Sequence, residues 1–504
     1  MKSNWLFQLI KTLSKAEKRH FKLYLGPYDK KGESFYMRLF NRFSKAEKYD
    51  EKALMASFPS QQRAVLKNQL FHKVLGSLIK QHEGNTAYGE VQLLIQKSDV
   101  LYQRKLFKAA DQLLKKAAQK AEELELFETL MTIYQRWKRL YIFVLGVEER
   151  AFHIQRFWEL EQKVLSQLAN LREMEWASMQ VFDWYYRHHY AKTAEEKKHY
   201  DQLMQHPLLQ HIDQSLSFSA KVIFLNTLGL YNDCIGEKKA CIDFRKQLVQ
   251  LYQEYPHWIK ERATQYLAAS NNWILGLIHL EAYSQANEAL EQIHTFPTRL
   301  QRPFKGEEEV MWFRLYHSLS LEVSIRTGNF RKAQANIPEI EKAFVRLGNK
   351  LNEAFKLPFY YFFAYTQFAL CQYKEALDWL APLVHKDDPS FRSELFRFGR
   401  LLYLVIHYEL GNFELLPSIT RSTQRYLKKS GKISPYEKIL LDFFNKTPYT
   451  DSKTAFQTLL AGLDPLFERP TPTGVLHHFH FLSWCKGHIE GQNFEFAFHT
   501  YLSR

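Results

Sequence analysis

Apolar positions along this chain recur with helical spacing, and within that pattern an aromatic residue stands three positions before a small one at intervals. The pairs are Phe107 and Ala110, Tyr283 and Ala286, Phe330 and Ala333, Tyr373 and Ala376, and Phe494 and Ala497. In a helical hairpin this spacing puts the ring at the turn and the small residue where two backbones cross closely. Ala240, Leu416 and Ala455 fill gaps in weaker contexts, and Ala151 and Ala194 fill two more. With all of them included the steps run 41, 43, 46, 46, 47, 43, 40, 39 and 42 residues. The pattern predicts an all-α chain built as a stack of antiparallel helical hairpins with a period of about 43 residues. No alternating β pattern competes, because short apolar runs such as 221–225 lie within longer helical periods.

Two segments carry a family likeness. LIQKSDVLYQRKLFKAADQLLKKA, from Leu94 to Ala117, and YYFFAYTQFALCQYKEALDWLAPL, from Tyr360 to Leu383, resemble the second-helix region of the tetratricopeptide-like superfamily. Phe107, Ala110, Leu114 and Ala117 stand in the family's order in the first, and Tyr360, Phe363, Ala364, Tyr373, Ala376 and Leu380 in the second. The Gly-Asn-Phe triplets at Gly328 and Gly411 are similar to its inter-helix turn. The resemblance implies a right-handed α-solenoid over residues 86–504 whose first helices line a concave, peptide-binding face. On that face it places Tyr361, Tyr365 and Phe368 in the Ala376 unit, Ser318, Glu322 and Arg326 in the Ala333 unit, and Tyr408 in the next; the alternative is that the longer helices bury these aromatics in the core, since 359–363 is apolar nearly all round. The step exceeds the family's usual length of about 34 residues, and the family's first-helix glycine is mostly absent. No specific ligand therefore transfers.

Charge separates the first 84 residues from the rest. They hold 17 Lys and Arg against 7 Asp and Glu, most of the formal +15 of all 504 residues. The Gly84-Asn85 interruption sets an expected boundary between a basic helical module, 1–85, and the solenoid, 86–504. Ser14/Glu17 and Ser44/Glu47 both read as S-x-x-E capping boxes and so as helix starts, as do Thr193/Glu196 and Ser434/Glu437. On a helix from Lys15, the side chains of Lys15, Lys18, Arg19 and Lys22 fall within about 100° of one another. Lys30, Lys31, Arg38, Arg42, Lys45 and Lys48 extend this positive surface. Such a stripe is a candidate nucleic-acid contact, with Trp5, Phe21 and Tyr24 available either for stacking or for the module's small core. The LSKAEKRHFKLYL opening joined to a long helical-repeat body is also similar to a group of uncharacterised bacterial proteins, which implies a bacterial origin.

Chemistry-bearing motifs are missing: the sequence has no phosphate-binding glycine loop, no H-E-x-x-H, no G-x-S-x-G and no cysteine-based zinc spacing. His477, His478 and His480 are too close along the chain to face one zinc ion with good geometry, and His188-His189 reads as a surface pair. The runs Glu307–Glu309 and Asp387-Asp388 suit helix starts, where acids meet the helix dipole. Cys234, Cys241, Cys371 and Cys485 read as reduced thiols packed as small hydrophobes. The opening MKSNWLFQLIKTL reads without signal-peptide character, and no apolar run reaches membrane-spanning length, so no membrane insertion is expected. The expectation is a cytoplasmic, non-enzymatic scaffold without metal or cofactor that binds a protein or peptide through its concave face. The alternative is a nucleic-acid-associated regulator whose basic module contacts DNA or RNA.

Overall fold

The computed structural model describes residues 4–26, 34–82, 86–144, 147–384, 393–446, 452–467 and 478–503. Among them the regular structure is helical, with no strand. Lys30, Lys31, Asp387, Asp388 and His477 lie outside the described residues. The chain forms two compact units, Met1–Gln180 with Leu203–Phe224, and Val181–Gln202 with Leu225–Arg504. The expected boundary at 85/86 falls inside the first unit, where it separates two hydrophobic cores rather than two units.

In the first unit, α1 (Trp5–Thr12), α2 (Lys15–Leu25), α3 (Phe35–Lys45), α4 (Glu51–Met55) and α5 (Arg63–His82) enclose one core around Leu6, Ile10, Phe21, Leu39, Phe40, Phe43 and Leu70. Ser14 and Glu17 form the expected capping box at the start of α2. Ser44 does the opposite of its expected role, because it lies in the last turn of α3. The apolar run Met37, Leu39, Phe40 and Phe43, capped by Ser34, carries the helix through Ser44, and Asp50 caps the next one instead. α6 (Ala87–Gln103), α7 (Phe107–Glu123), α8 (Phe127–Val144) and the 42-residue α9 (Val147–His188) form the second core. Asp111 braces it by accepting from Trp137 Nε1 at 2.8 Å and the Tyr141 hydroxyl at 2.9 Å.

α10 (Ala194–Leu203) follows, and α11 (Phe218–Cys234) leads into paired helices in the second unit. These are α12 (Lys238–Glu254), α13 (Pro256–Glu261), α14 (Ala263–His279), α15 (Tyr283–His294), α16 (Phe296–Leu300), α17 (Glu308–Arg326) and α18 (Phe330–Leu347). After them come α19 (Glu353–Ala369), α20 (Tyr373–Val384), α21 (Ser393–Glu409), α22 (Leu416–Lys429), α23 (Pro435–Lys446), α24 (Ser452–Phe467), α25 (Phe481–Glu490) and α26 (Phe494–Leu502).

One turn recurs between paired helices among the described residues. The first helix ends in a left-handed residue, and the N–H after it reaches back five residues to a carbonyl, as in a Schellman cap. Gly328 has φ 73° and Asn329 N donates to Ser324 O at 2.8 Å. Lys105, Glu125, Gly236, Glu281, Cys371, Gly411 and Gly491 repeat the geometry, closed by Leu106, Leu126, Glu237, Ala282, Gln372, Asn412 and Gln492. An aromatic residue usually stands two positions beyond the left-handed one and a buried small or aliphatic residue five beyond. Ala110, Ala286, Ala333 and Ala376 are buried there.

Three expected anchors move. The buried residue after Gly236 is Cys241, one position beyond Ala240. Ala151 and Ala194 are exposed, because the uninterrupted α9 occupies the place of a hairpin and Ala194 only opens α10. Cys371 is exposed at its turn, unlike the buried Cys234, Cys241 and Cys485.

Among the described residues, the buried carboxylates Glu308 and Glu437 are each paired with an arginine. Glu308 accepts from both Arg302 nitrogens at 2.8 Å and from Lys305 N at 2.8 Å. Burial raises its pKa, but these bonds outweigh that and hold the carboxyl below its usual range. His317, packed against Phe313 with ring centroids 4.8 Å apart, has no such partner, and burial pushes its pKa down to about 4.

Three outcomes follow from this architecture. A Cβ at Gly328 would stand 2.6 Å from His499 Cε1 on a left-handed backbone, so Gly328→Ala should lose about 1–3 kcal/mol in denaturant titration. Glu281→Gly, which relieves a left-handed non-glycine, should be neutral or gain up to about 1 kcal/mol. The unfolded chain protonates His317 near its ordinary value of about 6.5, before the folded chain does. Stability should therefore be full above that pH and fall toward pH 4, by up to about 1.4 kcal/mol per pH unit. His317→Leu should flatten that part of the pH profile.

Candidate functional site

The first helices of three successive hairpins, α14, α17 and α19, meet at an open pocket of about 230 Å³. α14 buries Tyr266, Leu267, Ser270, Ile274 and Leu277 on one side, which leaves Ala268, Asn271 and Asn272 on the pocket side. From α17 come Met311, Arg314, Leu315 and Ser318, and from α19 come Phe355, Pro358 and Phe359. The Arg314 guanidinium lies 3.6 Å from the Phe355 ring centroid. That contact orients a planar set of five N–H donors beside an apolar floor. The Asn271 and Asn272 amides stand 3.4 Å apart, and Arg245 Nη1 donates to the Asn272 carbonyl at 3.3 Å. Pro358, inside α19, has no N–H to give the Ala354 carbonyl four residues back.

Each asparagine amide offers a donor and an acceptor in one plane, which matches a main-chain amide. A cavity of this volume is smaller than the usual range of about 300–1,000 Å³ for small-molecule sites. It suits one or two side chains of a longer segment better than a complete small ligand. No carboxylate is among the pocket-lining residues.

Of the expected groove residues, Ser318 lines this pocket. The four aromatics do not, because the chain's own C-terminal hairpin covers them. The Tyr361 hydroxyl donates to His478 O at 2.9 Å, and His480 N donates to the Tyr365 hydroxyl at 3.3 Å. Phe368 packs on Phe479 and Phe494, and Tyr408 on Trp484 and His488, so all four are core residues. Glu322 and Arg326 pair with each other at 2.6 Å and are largely buried. They hold the end of α17 rather than an open face.

Of the three closely spaced histidines, His478 and His480 are described, and His480 is buried rather than on the surface. His478 stacks on Phe398 with centroids 4.0 Å apart, whereas His480 caps α25 through Ser483 N and faces Tyr501. His188 stacks on Trp184 at 3.7 Å. Among the described residues, no group of three or more His, Cys, Asp or Glu is placed to hold a metal.

On the basic module, Lys15, Arg19, Lys22, Arg38, Lys45 and Lys48 are exposed and Lys18 is half-buried. Arg38 lies over Phe35 and Phe58, and Arg42 bonds Ser57 Oγ. Phe21 is buried against Phe40 and is not available for stacking, while Trp5 remains exposed.

Asn271, Asn272, Arg314, Phe355 and Pro358 escaped the sequence reading. The signal for the first two was there: adjacent asparagines are poor helix formers inside an otherwise apolar helix.

Beside the aromatic packing, one carboxylate ties the C-terminal hairpin down. Glu409 Oε1 accepts from Trp484 Nε1 at 2.6 Å and lies 2.6 Å from His488 Nε2. Glu409→Ala leaves the buried indole N–H without its acceptor, and should cost about 1–3 kcal/mol. In limited proteolysis of that variant, cleavage should concentrate after residue 478. Comparison of the chain with family models, with curated proteins and with solved structures returned no match.

Proposed function

We propose that this chain is a non-enzymatic scaffold, a right-handed α-solenoid of stacked hairpins that binds an extended segment of a protein partner in the cytoplasm. The observation that carries the reading is the pocket between α14, α17 and α19, with two adjacent asparagines, Ser318 and a stacked arginine around an apolar floor. Stacked hairpins present their first helices side by side, so a segment lying across them meets residues from several units in order. Its main chain would bond Asn271 and Asn272, and one apolar side chain would enter between Met311, Leu315 and Phe355. No helix among the described residues is long and apolar enough to cross a membrane.

Selection of random linear peptides on the full chain tests this directly. Selected peptides should share a short extended motif and bind in the micromolar range. Asn271→Ala combined with Asn272→Ala should weaken them about 10-fold or more without shifting the melting temperature by more than about 2 °C, since each bidentate amide contact contributes roughly 1 kcal/mol or more. Peptides that bind the double variant as well as the parent would reject the site.

A further inference from the structure

We infer that the outer face of α2 binds the phosphate backbone of a nucleic-acid duplex, independently of the peptide pocket. The apolar side of α2 is committed: Phe21 and Leu25 are buried in the module's core, and Phe21 packs on Phe40 with centroids 4.4 Å apart. Lys15, Lys18, Arg19 and Lys22 occupy the other side, and none makes an ion pair with a described residue. Glu17, the one acid on the helix, is engaged in the Ser14 capping box, where its Oε2 accepts from Ser14 N at 2.7 Å.

The fold adds cations from other elements. Lys11 Nζ donates to Ser44 O at 3.0 Å, which ties the end of α3 to the end of α1, two residues before α2 begins. Lys45 and Lys48, both exposed, follow Ser44 directly. Among the described residues from 11 to 48, the acids are Glu17 and the exposed Glu47. Asp50 is used as the cap of α4, and Glu51 pairs with Lys67.

Length and chemistry match a duplex. The seven residue steps from Lys15 to Lys22 rise about 10 Å. A duplex presents one phosphate charge per about 1.7 Å of axis, so roughly six over that distance. An interfacial membrane helix needs an apolar face to insert. On α2 that face is packed in the core, and Leu23 is the exposed large apolar residue. With Phe21 buried, stacking on unpaired bases is also limited. Charge neutralisation of a duplex backbone, indifferent to sequence, is what this face can do.

Fluorescence anisotropy of the full chain with labelled 20-base-pair DNA and RNA duplexes, between 50 and 200 mM KCl, tests the inference and separates the two duplex types. Binding should weaken steeply with salt. The combined variant Lys15→Glu, Arg19→Glu, Lys22→Glu should bind at least about 10-fold more weakly at the lowest salt, with a salt slope shallower by about 2–3. A control variant, Lys238→Glu, Lys239→Glu, Lys332→Glu, has the same change in net charge on exposed positions of the second unit and should bind like the parent. The inference fails if the α2 variant keeps parental affinity or if the control loses as much. It fails equally if the parent binds vesicles containing phosphatidylserine but neither duplex. Circular dichroism of both variants must match the parent; a misfolded α2 variant is replaced by Lys15→Gln, Arg19→Gln, Lys22→Gln, for which at least about threefold weaker binding is expected and parental affinity again overturns the inference.

Discussion

The left-handed turn that recurs between paired helices among the described residues is the constraint on which those pairs depend. A helix that simply stopped would leave its last carbonyls unsatisfied in a crowded interior. Here the residue after the helix reverses handedness, the next N–H returns to a carbonyl five residues back, and the chain enters the second helix within a few residues. That geometry fixes which residue of the second helix faces the first. At Gly328 the position five residues on is Ala333, which is fully buried, and at Cys371 it is Ala376. The small side chain there lets the two backbones approach, and the aromatic ring two residues past the turn closes the end of the hairpin.

This explains why much of the fold was legible and some of it was not. Aromatic and small residues at fixed spacing are side-chain requirements, and the sequence displays them. The left-handed residue is a backbone requirement, and only Gly236, Gly328, Gly411 and Gly491 advertise it. Lys105, Glu125, Glu281 and Cys371 adopt the same conformation without being glycine, because the cap bonds and the packing beyond them outweigh a local cost of about 1–2 kcal/mol. Ala151 and Ala194 misled for the converse reason, since spacing alone carries no information about whether a helix breaks. The 42 residues of α9 run through the place where a turn was expected. At Ser44 a good capping phrase lost to a stronger neighbour, the amphipathic run from Met37 to Phe43.

The site was less legible than the fold. Tyr361, Tyr365, Phe368 and Tyr408 were expected on a groove because their helices are the first of their hairpins. What removed them from solvent is a contact between residues more than a hundred positions apart, Tyr361 with His478 and Tyr365 with His480. Local pattern cannot report such a contact. The C-terminal hairpin leaves uncovered the more polar stretch around Asn271, Asn272 and Ser318, where the proposed partner segment would meet amides beside the Phe355 ring. The basic face of α2 was visible from helical spacing. The structure adds that its apolar back is fully used and that Lys11 brings the end of α3 alongside.

Site-specific photocrosslinking in the native cell would test the central claim, that a partner segment lies over the pocket. A photoreactive phenylalanine analogue at position 272 should trap one discrete protein, and the same analogue at Val345, an exposed position on α18 away from the pocket lining, should not. A discrete adduct at 272 alone is the predicted result. No adduct at 272, or the same adducts at both positions, would contradict the account.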